Sequence, residues 1–147
     1  MLMSDGSGSY THMLAPFRPP SDDYAVEAEM QLDGPDLGVF VRYSGFGSPT
    51  IAGCGNCRVT YMGGIDNFGT MARIQRGDQV LVDTPFTPGK AWHTYRIEAR
   101  GNLIRLLIDG QPMVQTNDTT YPTGRGIGVH QGHYARVTVR AFRVIAL

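Results

Sequence analysis

Glu27 and Glu29 stand at alternate positions in the run Tyr24-Ala25-Val26-Glu27-Ala28-Glu29-Met30. On a strand, alternate positions share a face. Acid–base cleavage of a glycosidic bond needs two carboxyl groups about 5–10 Å apart in a cleft. No aromatic residue flanks this pair on its face, however, and alternating glutamate equally suits the exposed side of an ordinary strand. Glu98 has no acidic neighbour, so no catalytic residue is assigned. His130-Gln131-Gly132-His133 has a zinc-like spacing but no third ligand, and it reads as a strand end followed by a turn. Cys54-Gly55-Asn56-Cys57 holds both cysteines of the chain, too few for a four-ligand structural zinc site. Gly-Asn is turn material, so a local disulfide between Cys54 and Cys57 is the first reading. Two free thiols, or a metal or redox role, are the alternatives. Asp66, Asp83 and Asp118 are loop acids of the kind calcium uses, which makes calcium the candidate cofactor. No dense ligand loop of the EF-hand type accompanies them. Arg76-Gly77-Asp78 spells an adhesion tripeptide but is also good turn chemistry. Asn117-Asp118-Thr119 is a sequon, meaningful only on a eukaryotic secretory route.

The bulk properties limit what these residues can serve. At 147 residues the chain fits one domain, and 41% apolar with 10% aromatic content furnishes a core. Nineteen glycines and nine prolines are spread along the chain, the texture of short strands joined by tight turns rather than of a helical bundle. Net charge is zero, which gives no electrostatic support to nucleic-acid binding. No apolar run is long enough for membrane insertion. The zero hides an asymmetry: residues 1–89 carry five basic and ten acidic groups, residues 90–147 eight basic and three acidic. Strands from the two halves that interleave in one sandwich would neutralise each other. The N-terminus lacks a basic region followed by an apolar one, so it is not a signal peptide as it stands.

Period-two alternation runs through nearly the whole chain. Tyr24, Val26, Ala28, Met30 and Leu32 share one face, and Leu37, Val39, Val41 and Tyr43 the next. Shorter strands are expected at 57–62, 69–75 and 79–83. Longer ones follow at 93–99 and 103–108, joined by an Arg100-Gly101-Asn102 hairpin, with Asp109-Gly110 turning into 111–116. A strand at 125–131 precedes a last one whose inward parity switches between Val139 and Phe142, which predicts a bulge near Arg140 or Ala141. No segment carries a helical stripe. The expectation is an all-β, two-sheet antiparallel sandwich: residues 21–147 form one domain, and residues 1–20 an extension that can supply a first strand.

The run Trp92-His93-Thr94-Tyr95-Arg96-Ile97-Glu98-Ala99-Arg100-Gly101-Asn102, then Ile108-Asp109-Gly110-Gln111, then Gly124-Arg125-Gly126-Ile127-Gly128-Val129, resembles the second half of concanavalin A-like jelly-roll domains. It is most similar to the laminin-G-like group and to the bacterial family named for 3-keto-disaccharide hydrolases. Tyr24–Leu32 and Gly38-Val39-Phe40-Val41-Arg42-Tyr43 resemble the first-half strands. The resemblance implies two stacked sheets with oligo- or polysaccharide lying across the concave one. It carries weak information on activity, because lectins, glycanases and inert scaffolds share the fold.

Sugar recognition needs aromatic rings for stacking and planar polar groups for hydroxyls. On the implied face, Phe40 and Arg42 lie opposite the Val39/Val41 set, and Arg73 shares its face with Met71 and Gln75. Tyr61, His130 and Tyr134 join them if their strands are neighbours. Each of these six taken alone reads first as a solvated or cross-strand-paired residue, and Trp92 reads as core packing rather than a sugar platform. The expected function is a non-catalytic, extracellular or cell-surface carbohydrate-binding module. The alternatives are a structural protein that docks or self-assembles through a sheet face or edge, as a homo-oligomer or within a longer multidomain chain, and a small glycan-degrading hydrolase.

Overall fold

A computed structural model describes residues 2–3, 11–45, 59–132 and 134–147, so Cys54, Cys57 and His133 lie outside the described residues. The strands build two six-stranded sheets, with every pairing antiparallel. The first sheet runs β1 (Leu2–Met3), β12 (Arg136–Ala146), β3 (Tyr24–Asp33), β8 (Trp92–Arg100), β9 (Leu103–Ile108), β10 (Gln111–Asn117). The second runs β2 (Thr11–Leu14), β11 (Gly126–Gln131), β4 (Leu37–Tyr43), β5 (Tyr61–Asp66), β6 (Met71–Arg76), β7 (Gln79–Pro85). The N-terminal extension thus lends one short strand to each sheet. No helix is present among the described residues.

Alternation produces the core. Val26, Ala28, Met30, Tyr95, Ile97, Ile104 and Leu106 of the first sheet face Val39, Val41, Ile65, Ile74 and Ile127 of the second, all essentially without solvent contact. At roughly 25 cal/mol per Å² of apolar surface, each Val, Leu, Ile or Met side chain among them contributes about 1.5–3 kcal/mol relative to exposure. Asp109 and Gly110 both take positive φ, 51° and 79°, as a two-residue hairpin twisting with its strands requires. The pairing of β12 with β3 slips between Val139 and Ala141, so the parity switch is a bulge at Arg140.

β5 begins at Tyr61 and runs to Asp66 instead of covering 57–62. Its second half is masked in sequence by Gly63-Gly64, residues of low strand preference. Gly63 packs closely on the core: a Cβ there would lie 3.1 Å from Leu106 Cδ1 and 3.2 Å from Ile97 Cδ1, so those side chains would have to shift slightly. The two oppositely charged halves do meet. Glu27 pairs with Arg143 and Arg96, Glu29 with Arg140, and Asp33 with Lys90. Trp92 is half-buried on the outside of the first sheet, with the Arg140 guanidinium 4.2 Å above its ring.

Candidate functional site

In the second sheet the inward set is Leu37, Val39 and Val41 of β4, Tyr61 and Ile65 of β5, Ala72 and Ile74 of β6, and Ile127 and Val129 of β11. The outer face is therefore made by Gly38 and Phe40, Met62, Gly64 and Asp66, Arg73 and Gln75, and Gly128 and His130. Gly38 and Gly64 are cross-strand partners, so two adjacent strands carry no side chain at the same level. The Met62 side chain lies across Gly38, its Cγ and Sδ 2.7 and 2.8 Å from where a Cβ would stand. A cavity of about 320 Å³ opens on this sheet, lined by Asp36, Met62, Asp66, Gln75, Asp78 and His130 among others. That volume sits at the lower end of small-molecule sites, roughly 300–1,000 Å³.

Two carboxyl groups in this cavity stand in opposite environments. Burial raises the Asp36 carboxyl to about 6, the Asp66 charge pushes the same way, and the Gly132 N–H partly offsets them. Asp36 Oδ1 is buried and has no hydrogen-bond partner among the described residues. Asp66 instead accepts from Arg73 Nη1 at 2.9 Å and from the Asn67 N–H at 2.7 Å. Arg73 Nη2 also donates to Asp83 at 3.0 Å, so one guanidinium holds two carboxylates. Below about pH 6 Asp36 keeps its proton and can donate it.

Three of the six expected ligand residues, Phe40, Arg73 and His130, share this face. Phe40 is fully buried, its ring 5.4 Å from His12 and 5.5 Å from Tyr43, and so offers no open stacking surface. His130 is 4% exposed and packs 4.5 Å from the His12 ring. Tyr134 is 75% exposed at positive φ in the turn between β11 and β12.

Arg42 and Tyr61 do not lie on the face. Arg42 takes φ 53°, which breaks strand parity at the end of β4 and turns the side chain inward, where it is 0% exposed. Its five N–H donors are all used: four bonds to the carbonyl oxygens of Asp22, Gly101 and Tyr121, and one to Asp23. Tyr61 pairs with Val41 on the core side, donates to Asp118 Oδ1 and accepts the Tyr121 N–H at 3.0 Å. Both tie down the segment around Tyr121.

The other candidates also resolve. Glu27 and Glu29 are spent on arginines outside the first sheet. Arg76 of the tripeptide is bound to Asp118, Thr120 and Gln79, while Asp78 turns to the cavity. Of the three loop acids, Asp66 and Asp83 do converge, but upon Arg73, and Asp118 lies apart with Tyr61. Among the described residues no three His, Cys, Asp or Glu side chains are grouped for a metal. Asp36 is absent from the sequence-based candidates because it sits in Asp33-Gly34-Pro35-Asp36, which reads only as a turn. Glycines inside strands, Gly38 and Gly64, were the available signal, since they mark close approach of a backbone or a ligand.

The architecture defines a concanavalin A-like jelly-roll sandwich with a polar cavity on the outside of one sheet. Residues 5–145 match the 3-keto-alpha-glucoside-1,2-lyase-like domain, and the chain belongs to that family. No sequence among the curated proteins matches the chain. Among solved structures, it is similar to the carbohydrate-binding module CBM66 from Bacillus subtilis, with TM-score 0.72 and 13% identity over 95% of this chain and 84% of that one. It is also similar to the galectin LEC-6 of Caenorhabditis elegans, with TM-score 0.60 and 13% identity over 91% and 90%. The exoplasmic/lumenal domain of VIP36, in a Ca2+/Man-bound form, gives TM-score 0.69 at 8% identity over 94% and 73%. At such identities the likeness is one of fold.

Proposed function

We propose that this protein binds a short saccharide outside the cytoplasm, in the cavity on the outer face of the second sheet. The observation that carries this reading is the cavity itself, where polar groups of Asp36, Asp66, Gln75 and Asp78 converge beside the apolar Met62 side chain. Sugar hydroxyls need donors and acceptors placed this way, and the apolar side chain suits a C–H face. The likeness to a carbohydrate-binding module, a galectin and a Ca2+/Man-bound lumenal domain supports the same reading. Recognition here is by hydrogen bonding more than by stacking, because Phe40 is buried and Tyr61 faces the core. Arg73 bridges Asp66 and Asp83, so calcium at those two acids would have to displace its guanidinium. The test is a nitrogen–proton NMR titration with a panel of disaccharides, with and without calcium. Shifts at Gln75, Asp78 and Gly64 with Trp92 unmoved are expected, and shifts confined to the first sheet would refute the site.

A second reading follows from the family and from Asp36: elimination across C1 and C2 of a 3-keto-α-glucoside. The 3-keto group acidifies the C2 proton. A base removes that proton, the C1–O bond breaks, and the leaving oxygen takes a proton to give an alcohol and an enone. A carboxyl poised near pH 6 can serve such transfers. Incubation with a 3-keto-α-glucoside should then generate ultraviolet-absorbing enone, and no enone from a folded sample would leave binding alone.

A further inference from the structure

Resting on the saccharide reading above, we propose that the ligand is an oligosaccharide longer than the cavity, which continues over a second cleft where Phe68 stacks on one of its sugar units. Phe68 is 87% exposed, more than any other large hydrophobic residue among those described. Its backbone is unusual as well. Asn67, Phe68 and Gly69 take φ 57°, 58° and 79°, three consecutive left-handed residues in the turn between β5 and β6. Glycine and asparagine tolerate that region, whereas a bulky aromatic residue is disfavoured there. The turn is nonetheless fixed: the Thr70 N–H donates to the Asp66 carbonyl at 3.2 Å, and the Thr70 hydroxyl donates to the Asn67 carbonyl at 2.6 Å. A phenylalanine that buries almost nothing and strains its own turn does not stabilise the fold, and such outliers concentrate where ligands are held.

The cleft beside the ring measures about 220 Å³ and is lined by Phe68, Asp33, Gly34, Pro88 and Lys90 among others. The connection from β7 to β8 on its wall is tied down: Gln31 Nε2 donates to the Lys90 carbonyl at 2.7 Å, and His93 Nε2 lies 3.1 Å from the Pro88 carbonyl. Lys90 and Asp33 meet at 3.4 Å with both side chains more than half exposed. An open ring face beside an exposed donor and an exposed acceptor fits a pyranose, which offers C–H groups on its face and hydroxyls at its rim. A lipid surface would instead have to strip water from that ion pair. The cleft and the cavity also share their walls. The turn between β3 and β4 gives Gly34 to the cleft and Asp36 to the cavity, while β5 and its turn give Phe68 to one and Asp66 to the other. The two turns are packed together, since a Cβ on Gly69 would lie 3.3 Å from the Gly34 carbonyl oxygen. A glycan chain leaving the cavity over these turns meets the Phe68 ring.

The experiment is calorimetric titration of the intact chain with cellobiose, maltose and laminaribiose, and with the hexasaccharides of the same three series. In the series that binds, the hexasaccharide should bind about tenfold tighter than the disaccharide, the gain expected of one aromatic contact. A hexasaccharide also fits one site in several registers, so a variant assigns the gain. Phe68→Asn removes the ring and suits the left-handed turn better, so it should fold at least as stably. Its ratio of hexasaccharide to disaccharide affinity should fall several-fold, whereas Phe68→Trp should keep the ratio. Should the asparagine variant fail to fold, the Phe68 ring protons of the parent decide: they should shift in NMR spectra with the hexasaccharide. An unchanged ratio in Phe68→Asn, unmoved ring protons, or a hexasaccharide that binds no better than its disaccharide overturns the Phe68 contact while leaving cavity binding intact. Failure of all six sugars against folded protein overturns both.

Discussion

The carboxyl group of Asp36 occupies the space that a Cβ on Gly132 would need, and the Gly132 N–H lowers its pKa against the effect of burial. The turn after β11 and the turn before β4 are therefore fitted to one another through an acid and a missing side chain. Gly132→Ala should push Asp36 out of place and cost about 1–3 kcal/mol by overpacking. Urea unfolding measures the cost, and the NMR titration above should lose its shifts along the cavity. An alanine variant as stable as the parent would show that the turn relaxes freely.

Asp36 also sets a pH dependence. Its carboxyl titrates at about 6 when folded, against about 3.9 in an unfolded chain. Between about pH 4 and 6 the folded state keeps a proton that the unfolded state has lost, so stability falls as pH rises through that window. Above 6 the loss is complete and constant. Asp36→Asn removes this slope: the variant should match the parent near pH 4 and exceed it at pH 7. Parallel unfolding curves at both pH values check the sign, and an asparagine variant that is weaker at pH 7 would reverse the argument.

Arg42 should behave as a structural residue. Arg42→Met leaves carbonyl groups of Asp22, Gly101 and Tyr121 without donors, a loss of more than about 3 kcal/mol. Arg42→Lys should rescue little, because an ammonium has three donors where the guanidinium uses five. Chemical denaturation reads both, and a lysine variant of parental stability would argue against the clamp.

Tyr95 carries a surplus group. It is 0% exposed, its hydroxyl has no partner among the described residues, and burial, with Asp109 adding to it, pushes its pKa upward. Tyr95→Phe keeps the ring and removes the unsatisfied donor. Stability should rise by about 1 kcal/mol, or about 2–4 °C in melting temperature. A fall would mean that the hydroxyl has an unseen partner.

Most of the sandwich is legible in one chain because alternation reports which face a residue takes. Val26, Met30, Ile97 and Leu106 are inside, as their parity requires, and the bulge at Arg140 is visible as a parity change. Parity fails where the backbone leaves the strand region. Arg42 is read outward by counting, and a single left-handed φ carries it into the interior. Tyr61 lies inward because β5 starts at that residue and runs past two glycines.

What the pattern cannot carry is the order of strands. β11 lies beside β4, and β4 beside β5, which brings His130, Asp36 and Asp66 to one cavity from three distant parts of the chain. Hydrophobic alternation is satisfied by any neighbour whose apolar face points inward, so it leaves these meetings undetermined. Likewise Asp36 is an ordinary turn acid until Gly132 and Asp66 are packed against it, because desolvation and charge repulsion exist only between groups that folding has made neighbours. The alternation of apolar residues decides that this chain is a two-sheet sandwich, and tertiary packing decides which of its acids are chemically distinct.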